Sequence, residues 1–204
     1  MNYCYCGQIH NFLKISEDEW MGQMSRNLYE RYKTAANQPL MDSWRDCFQH
    51  LQREFSKLPN DYLNLYIVFE YGVPSADPRY ATRRYPRDRA DVIIWDKKTA
   101  LVLEFKREQY LPKNDYREYE RQLHNYYKMI NEVHRYGKNQ KVESAFVFTN
   151  CQDEMNIIPR EWDYGGTYYI CSQSGVSDLI CKIFDCVETM SAKEFSMWIG
   201  YCFN

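Results

Sequence analysis

The residues Ala90-Asp-Val-Ile-Ile-Trp-Asp-Lys-Lys-Thr-Ala-Leu-Val-Leu-Glu-Phe-Lys106 give the clearest structural signal in this chain. Ala90 to Trp95 is apolar and rich in β-branched side chains, and Ala100 to Lys106 is apolar again. Asp96-Lys97-Lys98 between them is typical of a turn. Two such runs joined by a short polar turn predict a β-hairpin whose strands are buried in a sheet.

Patterns on either side of the hairpin predict the other elements. Capping-box spacing at Ser16 and Glu19, and again at Ser191 and Glu194, indicates two helix starts. By residue number, helices are expected over 17–35, 39–57, 115–136 and 177–189, strands over 63–71, 144–149 and 166–171, and a loop over 74–89. This order of helices, three strands, a long helix, two strands and helices predicts an α/β fold with a mixed central sheet flanked by helices.

Length and composition are typical of one globular domain. The chain has 204 residues, of which 45% are hydrophobic and 26% are charged, and this suits a single domain over 1–204. We expect a helical N-terminal section (1–60), a core of sheet and motif helix (61–172) and C-terminal helices (173–204). No apolar run approaches the ~20 residues that span a bilayer, and the N-terminus lacks a secretory pattern. A cytoplasmic protein without a membrane partner is therefore expected.

The eight cysteines are scattered and include no C-x-x-C pair. Cys181, Cys186 and Cys202, with a fourth ligand from Cys4 or Cys6, could in principle hold an iron–sulfur cluster. The ligand spacing typical of such clusters is missing. Reduced, mostly buried thiols are the favoured interpretation.

Three charged residues of the hairpin indicate chemistry. Because side chains alternate along a strand, Val102, Glu104 and Lys106 share one face, and the hairpin can bring Asp91 beside Glu104. Two carboxylates and an ammonium at the edge of an apolar sheet are costly to desolvate unless they bind something. Oxygen ligands suit Mg²⁺ or Mn²⁺, and Lys106 could orient an attacking water. The alternative is a surface ion pair worth ~0–1 kcal/mol.

Residues outside the hairpin extend this candidate site. Glu70 ends the preceding strand and could supply a third metal-binding carboxylate, although a surface glutamate at a strand end is as good an interpretation. Gln122 and Tyr126 stand four residues apart, so they share one face of the following helix. Tyr126 could also be a simple core aromatic.

Positive charge is concentrated around the candidate site. The net charge of the chain is −2, yet residues 79–128 hold 13 of its 26 basic residues and 8 of its 28 acidic ones, which makes that segment +5. Arginines pair with phosphates and tyrosines stack on unpaired bases, so contact with DNA or RNA is favoured over a merely solvated loop. The residues concerned are Arg79, Arg83, Arg84, Arg87 and Arg89, with Tyr80 and Tyr85 between them.

Together, Asp91, Glu104-Phe-Lys106 and Gln122-Leu-His-Asn-Tyr126 resemble the PD-(D/E)xK nuclease superfamily in its RecB-like form. The resemblance implies a restriction-endonuclease-like fold. It implies Asp91 and Glu104 as metal ligands and Lys106 as the catalytic lysine. It also implies that Gln122 and Tyr126 support the catalytic set from a helix that borders the site and contacts DNA.

A closer resemblance covers roughly the first 110 residues and concerns the N-terminal nuclease-like domain of certain bacterial superfamily-1 helicases. It implies a helicase partner or a second copy of the chain. His50 and Glu54 are candidates for the acidic residue or histidine that this family carries on a helix. The chain has no G-x-x-x-x-G-K-[ST] P-loop. The motifs concerned are Ile9-His-Asn-Phe-Leu13, Ser16-Glu-Asp-Glu19, Trp44, Phe69-Glu-Tyr-Gly-Val-Pro74, Arg89-Ala-Asp91 and Leu103-Glu-Phe-Lys106.

Three functions are open on the sequence alone. The first is Mg²⁺- or Mn²⁺-dependent hydrolysis of phosphodiester bonds in DNA, or less favourably RNA. The second is a non-catalytic nucleic-acid-binding or regulatory module that keeps the nuclease fold. The third is a protein-interaction domain that docks on a helicase or on another copy of itself. Two carboxylates and a lysine kept in register favour the first, because a domain without a metal has no physical need of them.

Overall fold

A sheet of seven strands forms the centre of the part of the chain that the computed structural model describes, which is residues 5–32, 38–74, 87–107, 116–128, 130, 140–149, 157–161 and 167–200. The strands are β1 (Tyr5–Gln8), β2 (Tyr66–Pro74), β3 (Arg87–Trp95), β4 (Thr99–Lys106), β5 (Lys141–Phe148), β6 (Ile158–Glu161) and β7 (Thr167–Ser172). The helices are α1 (Ile9–Phe12), α2 (Glu17–Tyr32), α3 (Gln38–Phe55), α4 (Tyr116–Lys128), α5 (Val176–Ile183) and α6 (Ala192–Gly200). Short 3₁₀ turns lie at Asn60–Asn64 and Gln173–Gly175.

The sheet combines antiparallel and parallel pairing in the order β1-β2-β3-β4-β5-β7-β6. Strands β1 to β4 are antiparallel neighbours. Strands β4, β5 and β7 run parallel, and β6 pairs antiparallel with β7. In the chain, α4 lies between β4 and β5, and so provides the crossover that a parallel pair requires. The mixed sheet with flanking helices confirms the predicted α/β fold class.

Two hydrophobic cores lie on opposite faces of the sheet because side chains alternate along each strand. Helices α1, α2, α3 and α5 contribute to the first core, and α4 and α6 to the second. The hairpin feeds both: Val92, Ile94, Leu101 and Leu103 enter the first, and Ile93, Trp95, Ala100 and Val102 the second. The predicted alternation is therefore confirmed, and it leaves Glu104 and Lys106 on the face that α4 covers.

Polar residues set the starts of three helices. At α2, the Ser16 Oγ accepts a hydrogen bond from the Glu19 N–H at 3.2 Å. Before α6, Ser191 and Glu194 cap each other's backbone N–H groups at 2.8 and 3.2 Å, as their capping-box spacing predicts. At α5 the sequence predicts a helix that starts at residue 177 with Ser177 as its cap, and this prediction is wrong. That helix begins at Val176, and the carboxylate that accepts the Ser177 N–H belongs to Glu54 on α3.

The loop predicted over 74–89 is shorter than expected. Strand β2 continues to Pro74 and β3 begins at Arg87, because the β2–β3 ladder extends from the Tyr71–Ala90 pair to the Pro74–Arg87 pair. The sequence there is polar and arginine-rich, so no apolar alternation indicates a strand. The antiparallel pairing of β2 with β3 therefore extends further than predicted, and Asp91 lies in the middle of β3 rather than near its start.

Two short strands at the edges of the sheet were not predicted. They are β1, before α1, and β6, which makes three strands after α4 instead of two. Helix α5 also ends at Ile183, earlier than the predicted residue 189. The last part of the helix predicted over 115–136 lies outside the described residues. None of the described helices combines the length and the apolar character that crossing a bilayer requires.

Candidate active site

The ladder between β3 and β4 stops just before the first candidate carboxylate. It runs from the Trp95–Ala100 pair to the Val92–Leu103 pair and does not include the next positions, Asp91 and Glu104. At that point the Asp91 Oδ2 accepts a hydrogen bond from the Phe105 backbone N–H at 2.8 Å. A side-chain carboxylate thus replaces a main-chain carbonyl as the acceptor. The main-chain pairing of the two strands ends there.

Glu104 and Lys106 form an ion pair at the end of β4. The Lys106 Nζ donates to the Glu104 Oε1 at 2.9 Å, and the two side chains are only 11% and 7% exposed. The second carboxylate oxygen, Glu104 Oε2, is buried and has no hydrogen-bond partner among the described residues. A buried acceptor without a partner loses its hydration without compensation. This oxygen is therefore a natural place for a cation or for a donor from outside the described residues.

Helix α4 covers this pair with the two residues that the sequence singled out. Gln122 Nε2 donates to Glu104 Oε1 at 3.0 Å and to the Tyr126 hydroxyl at 2.8 Å. Its Oε1 receives a longer contact of 3.5 Å from the Lys106 Nζ. Tyr126 is fully buried in the second core. Because Gln122 and Tyr126 share one face of α4, the Gln122 amide can bond both the Tyr126 hydroxyl and the Glu104 carboxylate. The helix thereby holds that carboxylate in place.

Glu70 lies on β2, the strand on the other side of β3. It stands between the Phe69–Val92 and Tyr71–Ala90 pairs of the β2–β3 ladder, and Asp91 stands between the same two pairs on β3. Its φ of 51° is in the left-handed region, which costs a non-glycine residue about 1–2 kcal/mol. The side chain is 92% buried. Strain of this kind persists where the surrounding structure holds it, and it concentrates at functional sites.

Burial and the closeness of these carboxylates raise their pKa values. Burial, followed by the charge of Glu70, raises the pKa of Asp91 from 3.8 to about 7. Burial, followed by the charge of Asp91, raises the pKa of Glu104 from 4.5 to about 8. The Lys106 ammonium acts in the opposite direction on both. One lysine therefore does not neutralise the cluster, and a bound cation would relieve it.

The donor set suits a hard divalent cation. Glu104 Oε2 has no hydrogen-bond partner within the described ranges, and the Asp91 Oδ2 already accepts the Phe105 N–H, so these two carboxylates can offer one oxygen each. Carboxylate oxygens are the ligands that Mg²⁺ and Mn²⁺ prefer, and Mg²⁺ keeps several waters of its own. Across the described ranges, however, no group of three or more His, Cys, Asp or Glu side chains is placed to hold a metal. The role of Glu70 as a third ligand stays a prediction.

Comparisons with known proteins give a likeness to solved structures. No protein-family model matches the chain, and no curated protein matches it. Among solved structures, the chain is similar to the small subunit of the heterodimeric restriction endonuclease R.BspD6I. The identity is 9% and the TM-score 0.31, with 85% of this chain and 84% of that chain covered.

The predicted arginine cluster is only partly within the described residues. The backbone of Arg87 and Arg89 lies in β3, four and two positions before Asp91. Their side chains lie outside what the structure describes. The same holds for the whole of Arg79, Arg83 and Arg84, with the tyrosines between them. The nucleic-acid contact assigned to these residues stays a prediction.

The helical candidates, His50 and Glu54, differ in surroundings from the motif residues. Glu54 is 97% buried and its carboxylate is fully used, by the Lys57 Nζ at 2.5 Å and by the Ser177 hydroxyl and N–H at 2.9 and 3.3 Å. These contacts join α3 to α5, which is a structural role. His50 is half-buried on α3, and burial together with Arg53 lowers its pKa. In the described part of the chain, neither forms a hydrogen bond or an ion pair with Asp91, Glu104 or Lys106.

The site also contains aromatic residues that the sequence reasoning missed. The Tyr119 ring lies 4.2 Å from the Lys106 Nζ, and the Phe146 ring 5.9 Å from it. Tyr119 precedes Gln122 by three residues and Tyr126 by seven. The helical spacing that related Gln122 to Tyr126 would also have identified Tyr119, had it been extended one turn towards the N-terminus.

Proposed function

We propose that this protein is a metal-dependent nuclease that hydrolyses phosphodiester bonds of DNA, with RNA as the less favoured substrate, through Asp91, Glu104 and Lys106. The observation that carries the proposal is the buried Glu104 Oε2, which has no hydrogen-bond partner in the part of the chain that the structure describes. It lies next to Lys106, on the strand adjacent to Asp91. A cluster of buried carboxylates with an unmet acceptor and raised pKa values is typical of a functional site.

Each residue has a role that its surroundings suit. Asp91 and Glu104 would hold Mg²⁺ or Mn²⁺, which supplies an activated water and neutralises phosphate charge. Lys106 lies within reach of the same carboxylate, so its remaining N–H can hydrogen-bond the attacking water or a phosphate oxygen. Gln122 fixes the Glu104 oxygen that the metal does not take. Low exposure around Glu104 and Lys106 strengthens all these interactions, because water screens them less.

Support for the nuclease assignment comes from the motif and the order of elements together. The PD-(D/E)xK resemblance implies a restriction-endonuclease-like fold in which the Asp, the E-x-K strand and the Q-x-x-x-Y helix meet. Here Asp91, Glu104 and Gln122, which are separated in the chain, lie on adjacent elements β3, β4 and α4. The charge balance of residues 79–128 and the arginines before Asp91 favour a nucleic acid as the substrate.

Cleavage assays with matched variants test the proposal. Labelled single-stranded DNA, double-stranded DNA and RNA are incubated with Mg²⁺, Mn²⁺ or EDTA. Asp91→Asn and Lys106→Met are expected to lower cleavage by at least about 100-fold. The control is Lys141→Met, because Lys141 pairs with Glu143 at 3.0 Å two residues along β5, as Lys106 does with Glu104. Cleavage that survives EDTA, or that Lys106→Met and Lys141→Met affect equally, would contradict the proposal.

One observation favours a second function, a nucleic-acid-binding module that keeps the fold without catalysis. It is the lack, in the described ranges, of a group of three residues placed to hold a metal. In this case the protein binds DNA or RNA equally well in EDTA and in Mg²⁺, and Asp91→Asn leaves the affinity unchanged. A steep fall of that affinity with salt would mark phosphate contacts, whereas docking on a helicase partner or a second copy would lack it.

A further inference from the structure

The Lys106 ammonium lies in a recess formed by two aromatic rings. Its Nζ is 4.2 Å from the centroid of the Tyr119 ring and 5.9 Å from that of Phe146. The ring pair Tyr119–Phe146 is edge-on, with centroids 6.2 Å apart and planes at 73°. A ring face attracts an ammonium through its quadrupole, and the attraction is stronger where water is displaced. Lys106 is 11% exposed, so this contact is largely shielded from solvent.

The two rings are held by elements that do not depend on the carboxylates. Phe146 is fully buried on β5 and lies directly opposite Glu104 in the parallel register. Tyr119 is on α4, one turn before Gln122, and the helix is anchored by Leu123 and Tyr126 in the second core. The recess is therefore part of the folded framework.

The polar partners of Lys106 are of a different kind. Both belong to groups of the proposed metal site: Glu104 Oε1 at 2.9 Å and Gln122 Oε1 at 3.5 Å. A cation on Glu104 Oε2 would draw charge from the same carboxylate and so weaken the attraction between Oε1 and the ammonium. A lysine side chain has a flexible four-carbon stem and keeps no orientation of its own. A contact that does not involve the carboxylate would then keep the ammonium in place while a metal and a substrate bind.

We infer that Tyr119 is a positioning residue that fixes the Lys106 ammonium through its ring face. The inference rests on the proposed function, because it assigns Lys106 to that reaction. The ring attracts the whole charge and uses no directed acceptor, so an N–H of the ammonium stays available for the attacking water or a phosphate oxygen. The Tyr119 hydroxyl has no part in this, and the face of the ring is what matters.

Three replacements separate the ring face from the size of the side chain. Tyr119→Phe keeps the ring, Tyr119→Leu removes it, and 3,4,5-trifluorophenylalanine at position 119 keeps the shape but withdraws the negative charge of the face. We expect kcat to fall about 3- to 30-fold with the leucine and the trifluoro replacement, at unchanged KM. Tyr119→Phe should stay close to the wild type. If the leucine variant does not fold, the trifluoro residue carries the comparison.

Nuclear magnetic resonance tests the contact without any substrate. The protein is labelled with ¹³C-lysine, and the Lys106 Hε–Cε signal is identified by its loss in Lys106→Arg. A ring face at 4.2 Å should displace that signal upfield through its ring current. The upfield displacement should persist in Tyr119→Phe and disappear in Tyr119→Leu.

The outcomes distinguish this inference from the proposed function. An unchanged Lys106 signal in Tyr119→Leu would overturn the inference, as would an unchanged kcat with the trifluoro residue in an active enzyme. If the wild type cleaves nothing but the upfield displacement disappears in Tyr119→Leu, the positioning contact stands and the nuclease proposal fails.

Discussion

Replacement of Asp91 by asparagine is expected to make the metal-free protein more stable at pH 8 while it abolishes cleavage. Asparagine keeps the shape of the side chain, and its oxygen can still accept the Phe105 N–H now bound at 2.8 Å. What it removes is a negative charge that burial and Glu70 make unfavourable. The Asp91 charge that the proposed function requires therefore lowers the stability of the metal-free protein.

The size and the pH dependence follow from the pKa values. The folded protein holds the Asp91 proton up to a pKa of about 7, against 3.8 without the fold. The free energy of unfolding of the wild type therefore falls as pH rises from about 4 to about 7, and Glu104 extends the fall to about 8. A pKa difference this large corresponds to at most about 4 kcal/mol. The Asp91 residue is half-buried rather than fully enclosed, so water reduces the gain from Asp91→Asn to about 1–3 kcal/mol.

Urea or thermal unfolding in EDTA, at pH 8 and at pH 5, measures this gain. At pH 8 we expect Tm to rise by about 2–4 °C for each kcal/mol in a chain of this length. At pH 5 the gain should shrink, because Asp91 is then protonated in the folded wild type. Asp61→Asn, at an exposed position, serves as the control and should change little. A loss of stability at pH 8, or an equal gain at both pH values, would refute the reasoning.

Three further measurements test the site and the core. Mg²⁺ at about 100 times its Kd should add about 2.7 kcal/mol to the unfolding free energy of the wild type and nothing to Glu104→Gln; equal effects would argue against this ligand. Tyr168→Phe removes a buried hydrogen bond of 2.8 Å to Glu120 and should cost about 1–3 kcal/mol in urea unfolding, against no change for Tyr127→Phe at a 41% exposed position. Leu103→Ala in the first core should cost about 2–5 kcal/mol by the same assay, and a loss below about 1 kcal/mol would show that the core is loosely packed there.

Local patterns predicted the parts of the fold that local physics determines. The hairpin was predicted because apolar alternation and a polar turn occur in consecutive residues, and the capping boxes because a serine and a glutamate three apart meet at a helix start. The same reasoning placed Glu104 and Lys106 on one face and Gln122 one turn from Tyr126. Each of these side-chain relations spans at most five consecutive residues, and the hairpin joins two neighbouring runs, so the sequence expresses them directly.

Relations that depend on distant partners were not predictable. Strand β6 reads Ile-Pro-Arg-Glu and is exposed along its whole length, so no hydrophobic pattern marks it, and its pairing with β7 alone makes it a strand. The cap of α5 comes from Glu54, 123 residues before Ser177. The left-handed conformation of Glu70 likewise reflects its place between two strands rather than its neighbours in the chain. Such features require the assembled sheet.

The divergence of β3 from β4 at Asp91 also has a consequence for how the molecule assembles. The Asp91–Phe105 contact closes a loop of only 14 residues, and the Gln122–Glu104 contact one of 18. Loops this short lose little chain entropy on closure. The proposed catalytic groups can thus come together within one continuous segment, β3 to α4, before the N-terminal strand β1 finds its place at the edge beside β2. The proposed active site would then form in the early, local steps of folding, and the elements that are distant in the chain would pack around it later.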